Sequence, residues 1–260
     1  MSFITSGGVR IHYSIEGSGP PLLLLHGLGA SGDLNWRIPG WVAALRAKHR
    51  LILVDHRGHG ESEKPHHAAA YSIEQMAADA LAVLDAEGVR ETAVAGYSMG
   101  SMIAMDLLLN APSRFTSAVL GGMGSRWPGR GQQNRCTDVP SSAKGPSTNA
   151  GHGSGLRMLG AFLRHNDPIA QRIIRRTVFR DRPPVDVSRL SEIHVPVLVV
   201  AGSSDFFCGP SRELAAAIPG ASHEVLPGRG HMGAVRDAHF VELVSDFLAG
   251  QRVGLSQASA

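Results

Sequence analysis

Three side chains that could together perform nucleophilic catalysis are spread along this 260-residue chain. Ser98 is the centre of Gly96-Tyr-Ser-Met-Gly100, Asp205 follows an apolar run that ends at Ala201, and His231 follows the last predicted strand. A serine hydroxyl is a weak nucleophile at neutral pH, so it needs a base, and the base needs a carboxylate that fixes its tautomer. Serine, aspartate and histidine therefore form a candidate triad.

The residues around Ser98 predict a strand, a sharp turn and a helix. β-Favouring residues Thr92 and Val94 precede the pentapeptide, and an apolar helical pattern over 102–109 follows it. The two glycines are needed in such a turn because a Cβ at either position would clash. A serine at the apex of a strand–turn–helix unit is the arrangement known as a nucleophile elbow.

Short apolar runs alternate with helical patterns along most of the chain. Buried strands are predicted at 21–26, 51–55, 92–97, 117–120 and 195–201, a last strand at 224–226, and a half-buried edge strand at 9–16 in a hairpin with 2–6. Helices are predicted at 36–48, 73–87, from 99, from 168, at 210–217 and at 237–248. This alternation predicts a mostly parallel sheet with helices on both faces. We expect Ser98, Asp205 and His231 to meet where the carboxyl ends of its strands gather.

The composition changes after Gly122. Residues 124–155 are rich in Gly, Ser, Pro and Asn and lack apolar periodicity, which predicts a mobile loop, followed by a helix at 156–165. Residues 123–190 carry twelve Lys and Arg against four Asp and Glu, whereas the rest of the chain carries thirteen against eighteen. We therefore predict a core of 1–122 and 191–250, a basic cap or lid of 123–190, and a frayed tail at 251–260.

Length and composition exclude several classes of protein. A chain of this length with 43% hydrophobic residues can bury a full core as one large domain. Its two cysteines, Cys136 and Cys208, are too few for a disulfide framework, and no secretory signal is visible, so we expect a cytoplasmic protein. No apolar run approaches the ~20 residues that span a bilayer, and no nucleic-acid motif is present. We expect no membrane or nucleic-acid partner, and a homodimer stays open.

Other polar residues suggest structural roles more than chemical ones. His56, His59, His66 and His67 match no metal-ligand spacing and have no acidic or thiol partners in a ligand motif, so we expect neither a metal nor a cofactor. We interpret Arg57 as a member of a structural ion pair. The cap arginines either solvate a helical face or attract anionic substrates through their field. They are Arg164, Arg172, Arg175, Arg176, Arg180 and Arg182.

Five motifs in order resemble the α/β-hydrolase superfamily. They are His26-Gly-Leu-Gly29, Asp55-His-Arg-Gly-His-Gly-Glu-Ser62, Gly96-Tyr-Ser-Met-Gly100, Ala201-Gly-Ser-Ser-Asp205 and Gly228-Arg-Gly-His231. The resemblance runs from about residue 9 to 249 and implies an eight-stranded, mostly parallel α/β-hydrolase fold with a small helical cap. It also implies that the N–H groups of Leu28 and Met99 form an oxyanion hole, and that His26 shapes the glycine-rich loop.

The resemblance implies a serine hydrolase of the carboxylic ester class (EC 3.1.1) that acts on a small ester, lactone or thioester, including an anionic one. Ser98 would attack the carbonyl, His231 would transfer the proton and Asp205 would orient His231. Candidate pocket residues are Gly27, Tyr97, Trp127 and Met232.

Several alternatives stay open at this point. Residues 71–126 are similar to small bacterial esterases and to 3-oxoadipate enol-lactonases, whose anionic substrate would suit a basic cap. Carbon–carbon bond hydrolases and cofactor-free haloperoxidases share the triad. A ligand receptor that keeps the fold without turnover is the alternative from a non-enzyme class. A serine at the elbow argues against haloalkane dehalogenases and epoxide hydrolases, which use aspartate there.

Overall fold

The structure is a computed structural model that describes residues 2–125, 166–181, 186–207 and 209–250. The predicted helix at 156–165, most of the predicted mobile loop, the predicted tail and the pocket candidate Trp127 lie outside the described residues.

Eight strands of the described residues form one sheet. They are β1 (Ser2–Ser6), β2 (Val9–Glu16), β3 (Pro21–Leu25), β4 (Arg50–Val54), β5 (Thr92–Tyr97), β6 (Phe115–Gly121), β7 (Val197–Gly202) and β8 (Ser222–Leu226). Their order across the sheet is β1-β2-β4-β3-β5-β6-β7-β8. The β1–β2 and β2–β4 pairs are antiparallel and all other pairs are parallel, which confirms the predicted mostly parallel sheet.

Helices cover both faces of this sheet. The α-helices among the described residues are α1 (Trp41–Leu45), α2 (Ile73–Ala86), α3 (Met99–Asn110), α4 (Pro168–Ile174), α5 (Ser211–Ala217), α6 (His231–Ala234) and α7 (Ala238–Leu248). Turns of π-helix occur at Asp33–Arg37 and Arg175–Arg180, and turns of 3₁₀-helix at Ala68–Ala70, Pro112–Arg114 and Val187–Glu192. Alternate residues of β3 enter two separate cores: Leu23 packs with α2 and α3, and Leu22 packs with α1 and α7. The fold predicted from the resemblance is confirmed in its sheet and its flanking helices.

Two local predictions are wrong. The helix predicted from Trp36 begins at Trp41, because Pro39 and a left-handed Gly40 (φ 98°) separate it from the π-helical turn before it. Its inward residues are nevertheless buried as expected. The strand Val9–Glu16 is not an edge strand, because β2 lies between β1 and β4.

The predicted helix starts at Ser72 and Asp167 are confirmed by their caps. The Ser72 hydroxyl accepts a hydrogen bond from the Gln75 N–H at 3.1 Å. The Asp167 carboxylate accepts from the first free N–H groups of α4, at 2.9 and 2.8 Å. The first N–H groups of a helix have no acceptor within the helix, and both side chains supply one.

Every helix within the described ranges is too short or too polar to cross a bilayer.

Buried polar side chains cluster at the loops that follow β3 and β4. Arg57 forms two hydrogen bonds of 2.7 Å with the fully buried Asp79, in the ion pair that we predicted for it. The imidazole rings of His26, His56 and His59 contact one another, with ring centroids 4.3 Å apart for the first two and 5.1 Å for the first and third. Burial lowers the pKa of all three rings, that of His59 to about 3. All three are therefore neutral near pH 7.

This histidine cluster predicts that the fold loses stability in mild acid. Each unfolded histidine binds a proton below about pH 6.5, whereas the folded ring stays neutral to a lower pH. The free energy of unfolding should therefore fall as the pH drops from 6.5 towards 3, by up to about 1.4 kcal/mol per pH unit for each histidine. Urea unfolding at pH 7.5, 6 and 5 measures this slope.

The substitution His56→Leu removes one buried titrating group and should make the slope shallower. His67→Gln is the matched control because His67 is exposed, and it should leave the slope unchanged. A wild-type protein equally stable at pH 7.5 and 5 would contradict the prediction.

Candidate active site

Ser98 occupies a strained backbone conformation between β5 and α3. Its φ of 55° makes it the single non-glycine residue with positive φ in the described part of the chain. L-residues rarely adopt such angles, so the surrounding structure must hold the conformation. The Ser98 N–H donates to the Gly121 carbonyl at 2.8 Å, and the Ser98 carbonyl accepts from Ser101 at 2.9 Å.

The glycines of the elbow are required by close contacts. A Cβ on Gly96 would lie 2.4 Å from the carbonyl oxygen of Gly100, and a Cβ on Gly100 would lie 1.9 Å from that of Leu25. Both distances are far below van der Waals contact. Helix α3 can therefore approach β5 only with glycine at 96, and the end of β3 only with glycine at 100. Such clashes are the reason given for both glycines from the sequence.

The three predicted triad residues come together at the carboxyl ends of the strands. The Ser98 hydroxyl lies 2.9 Å from Nε2 of His231, and Nδ1 of His231 lies 2.7 Å from Oδ2 of Asp205. A carboxylate can only accept, so Nδ1 carries the proton and the lone pair of Nε2 accepts from the Ser98 hydroxyl. The Asp205 carboxylate is 2% exposed and the imidazole 13% exposed, so little water competes for these bonds.

Backbone contacts hold the acid and the base in register. Asp205 lies on the loop after β7, and His231 begins the short helix α6, which follows β8 and was not predicted. The Ser204 N–H donates to the Arg229 carbonyl at 2.9 Å, and the Gly228 N–H donates to the Ser203 hydroxyl at 2.8 Å. The two loops therefore form one unit that keeps carboxylate and imidazole together.

The pocket candidate Tyr97 contacts the predicted base. Its side chain is buried, its hydroxyl donates to the backbone carbonyl of His231, and the two rings are 5.5 Å apart between centroids. The ring also packs closely on Gly122, where a Cβ would lie 2.7 Å from Tyr97 Cζ. Tyr97 thus contacts the residue that carries the base, and its place in the substrate pocket stays a prediction.

Both predicted oxyanion donors lie beside Ser98. Met99 is the first residue of α3, and an N–H at that position has no acceptor within its own helix. The loop that carries Leu28 adjoins the elbow, since a Cβ on Gly27 would lie 3.4 Å from Ser98 Cβ and 3.3 Å from the Tyr97 carbonyl. The two segments that carry the predicted donors thus adjoin the serine, and the role of their N–H groups stays a prediction.

The peptide between Gly27 and Leu28 is fixed through its carbonyl. Gly27 O accepts from His26 Nδ1 at 2.8 Å and from the Ala30 N–H at 3.1 Å. In a trans peptide the N–H points opposite to the carbonyl, so the Leu28 N–H points away from both donors. His26 Nε2 accepts from the His56 N–H at 3.1 Å, which places the ring proton on Nδ1. His26 thus shapes this loop, as the resemblance implied.

A carboxylate at the end of β4 holds the far end of the same loop. Asp55 accepts the Gly32 N–H at 2.8 Å and a hydrogen bond from the His12 ring at 2.9 Å. Burial alone would raise the pKa of Asp55, but the His12 hydrogen bond and the neighbouring backbone N–H groups lower it to about 2. Asp55 therefore stays ionised and keeps its acceptors across the physiological range.

Apolar side chains surround the base. Met232 follows His231 directly and is 68% exposed, and the ring of Phe207 lies 5.2 Å from that of His231. Sequence reasoning missed Phe207, although its place two residues after Asp205 was a usable signal. That Gly27 and Met232 line a substrate pocket stays a prediction.

The described part of the predicted cap contacts the loops after β3 and β4. The Asn166 side chain donates to Gly29 O at 2.9 Å, and the Gln171 side chain donates to Gly58 O at 3.1 Å. On the same segment, Arg176 and Arg180 both pair with Asp181. Two of the cap arginines are thus partly neutralised by one carboxylate.

Within the described ranges, no group of three or more His, Cys, Asp or Glu side chains could hold a metal ion.

A family model described as the alpha/beta hydrolase fold matches residues 20–130. The crystal structure of the enol-lactonase from Burkholderia xenovorans LB400 superposes with a TM-score of 0.77 at 25% identity, over 95% of this chain and 100% of that one. This chain has the α/β-hydrolase fold. The family model and the solved structure both support a hydrolase.

Curated relatives within the superfamily differ in reaction. A putative carbamate hydrolase, RutD of Azorhizobium caulinodans, is 39% identical over 46% of this chain, but the match spans only 43% of that relative. A putative non-heme bromoperoxidase, BpoC of Mycobacterium tuberculosis, is 27% identical over 86% of this chain and 92% of its own length. The comparisons thus agree on the family and diverge on the substrate.

The elbow contacts predict that Gly100→Ala is severely destabilising. The new Cβ would meet the backbone of the central strand β3, which cannot move without disrupting the sheet. We expect a loss of at least about 3 kcal/mol in the free energy of unfolding, measured by urea titration. Gly233→Ala is the matched control, because the nearest atom to its Cβ would be Arg229 Cδ at 3.9 Å, and its stability should match wild type. Equal stability of the two variants would refute the packing argument.

Proposed function

We propose that this protein is a serine hydrolase that cleaves a small carboxylic ester, lactone or thioester through an acyl-enzyme on Ser98. The observation that carries the proposal is the unbroken line of hydroxyl, imidazole and carboxylate from Ser98 through His231 to Asp205, at 2.9 and 2.7 Å. Each group is supplied by a different loop at the carboxyl end of the sheet. A structural role alone would not require all three in this order and tautomer.

Acylation would begin when the Ser98 oxygen attacks the substrate carbonyl carbon. The hydroxyl proton passes to His231 Nε2, and Asp205 stabilises the imidazolium that forms. The carbonyl oxygen becomes an oxyanion that the N–H groups of Leu28 and Met99 stabilise; losing one such donor typically costs about 10²–10³ in rate. When the C–O bond breaks, His231 Nε2 returns the proton to the leaving alkoxide.

Deacylation would use the same groups in the reverse direction. Water attacks the acyl carbon while His231 accepts its proton, and the second oxyanion occupies the same donors. The bond to Ser98 then breaks, the proton returns to the serine oxygen, and the carboxylic acid leaves. The cycle balances with water as the single co-reactant, so neither metal nor cofactor is part of the proposal.

The similarity to an enol-lactonase and to a putative carbamate hydrolase supports an acyl carbon as the point of attack.

We further propose that residues 123–190 form a cap over the site. Their excess of basic residues supports an anionic substrate, as in the enol-lactonase alternative.

A haloperoxidase activity is the second candidate, and the near full-length similarity to a putative bromoperoxidase favours it. The same acyl-enzyme could be attacked by hydrogen peroxide in place of water, which would release a peracid that oxidises bromide. Bromide oxidation that requires an added carboxylic acid and Ser98, in a protein without esterase activity, would favour this candidate.

The serine mechanism predicts that Ser98→Ala abolishes hydrolysis of p-nitrophenyl acetate, with a fall in kcat of about 10⁴-fold or more. A fluorophosphonate should add one adduct mass to wild type, on the peptide that contains Ser98, and none to the variant. Ser204→Ala is the matched control, because Ser204 is an exposed serine on the loop of the acid, and it should be labelled like wild type. Turnover that survives in Ser98→Ala would refute the mechanism.

The basic cap predicts a salt effect that depends on substrate charge. Raising the ionic strength from 10 to 500 mM shortens the screening length from about 30 to about 4 Å. For a p-nitrophenyl ester with a free carboxylate, kcat/KM should fall about 3- to 10-fold, because steering by the cap is screened. The neutral p-nitrophenyl acetate is the control and should change little. Equal salt slopes for the two esters would exclude steering of anionic substrates.

A further inference from the structure

A buried amide side chain reaches the loop that carries the Leu28 N–H. Asn35 lies on the π-helical turn Asp33–Arg37 and is 4% exposed. Its side-chain Oδ1 accepts a hydrogen bond from the Gly27 N–H at 3.1 Å. Its backbone N–H donates to the Ser31 carbonyl at 2.9 Å. No motif had singled it out, because its partner is Gly27 and not a residue of the triad.

Gly27 needs this anchor because it has no side chain to fix its backbone. Its position leaves little room for one, since a Cβ would lie 3.3 Å from the Tyr97 carbonyl oxygen and 3.4 Å from Ser98 Cβ. Glycine rotates freely about both backbone dihedrals unless hydrogen bonds restrain it. The peptide that follows Gly27 is held through its carbonyl by His26 and Ala30, and the peptide that precedes it is held by Asn35.

We propose that Asn35 is a positioning residue for the oxyanion hole. By holding the Gly27 N–H it fixes the plane of one peptide, and the bonds to Gly27 O fix the next, so the Leu28 N–H is oriented before substrate arrives. Donors that are already oriented stabilise the developing oxyanion without a reorganisation cost. The proposal rests on the proposed serine hydrolase function, because it concerns the oxyanion of that reaction.

A role in orientation has a kinetic signature that a role in folding lacks. The oxyanion exists in the transition state and not in the bound substrate, so loss of the anchor should lower kcat and leave KM nearly unchanged. Binding of a phenylboronic acid, which forms a tetrahedral adduct on Ser98, should weaken by the same factor as kcat/KM. The pH profile should keep its shape, because the contacts of His231 and Asp205 are not altered.

The test compares Asn35→Ala and Asn35→Leu with wild type in p-nitrophenyl ester hydrolysis. We expect kcat to fall about 10- to 100-fold, KM to change less than about 3-fold and the boronic acid inhibition constant to rise in parallel. Leucine keeps the side-chain volume and also removes Asn35 Nδ2, a buried donor without a partner among the described residues, so this variant should fold even if alanine does not. Thermal unfolding of each variant verifies the fold.

Asp33→Asn is the matched control on the same turn. Asp33 is exposed and pairs with Arg37, so its change should leave kcat and KM at wild-type values. A folded Asn35 variant with kcat within about 2-fold of wild type, or a loss carried by KM alone, would overturn the proposal. Failure of the proposed function is distinguishable, because wild type would then lack Ser98-dependent turnover altogether.

Discussion

The close approach of helix α3 to strands β5 and β3 is the constraint on which the rest of the site depends. It forces glycine at 96, against α3, and at 100, against the end of β3, and Ser98 between them has a φ of 55°. A residue in that conformation persists only if its neighbours hold it, and here the Gly121 carbonyl at the end of β6 does so. The stability of the central sheet therefore maintains the strain at the serine.

The same sheet determines which other groups can reach Ser98. Strands β7 and β8 run parallel to β5, so their loops deliver Asp205 and His231 to the edge at which the serine stands. The loop after β3 lies beside the elbow and carries His26 of the buried histidine cluster. Its backbone at Gly27 hydrogen-bonds to the side chains of His26 and Asn35, so the proposed oxyanion hole depends on neutral, buried side chains.

Sequence reasoning predicted most of the sheet because its signals are local, and motifs at the ends of separate strands identified the three residues that the fold brings together. Continuous apolar runs determine buried strands, and Ser72 and Asp167 cap the helices that follow them. The failures have non-local or competing causes. Pro39 and Gly40 interrupted an otherwise helical pattern. The contact of Tyr97 with His231, 134 residues away in sequence, and the hydrogen bond that Asn35 accepts from Gly27 depend on tertiary structure that no window of sequence contains.

In the proposed enzyme, chemistry and selectivity would come from different parts of the chain, but they would not be independent. Every residue proposed for catalysis lies within 1–122 or 191–250, whereas the basic excess lies in 123–190. The described segment of 123–190 nevertheless donates a hydrogen bond from Asn166 to Gly29, one residue after Leu28. Asn166 and Asn35 therefore restrain the same loop from its two ends. In the proposed enzyme, a substrate that displaced Asn166 would also disturb the loop that carries the Leu28 N–H, so recognition and rate would be coupled through Gly27–Gly29.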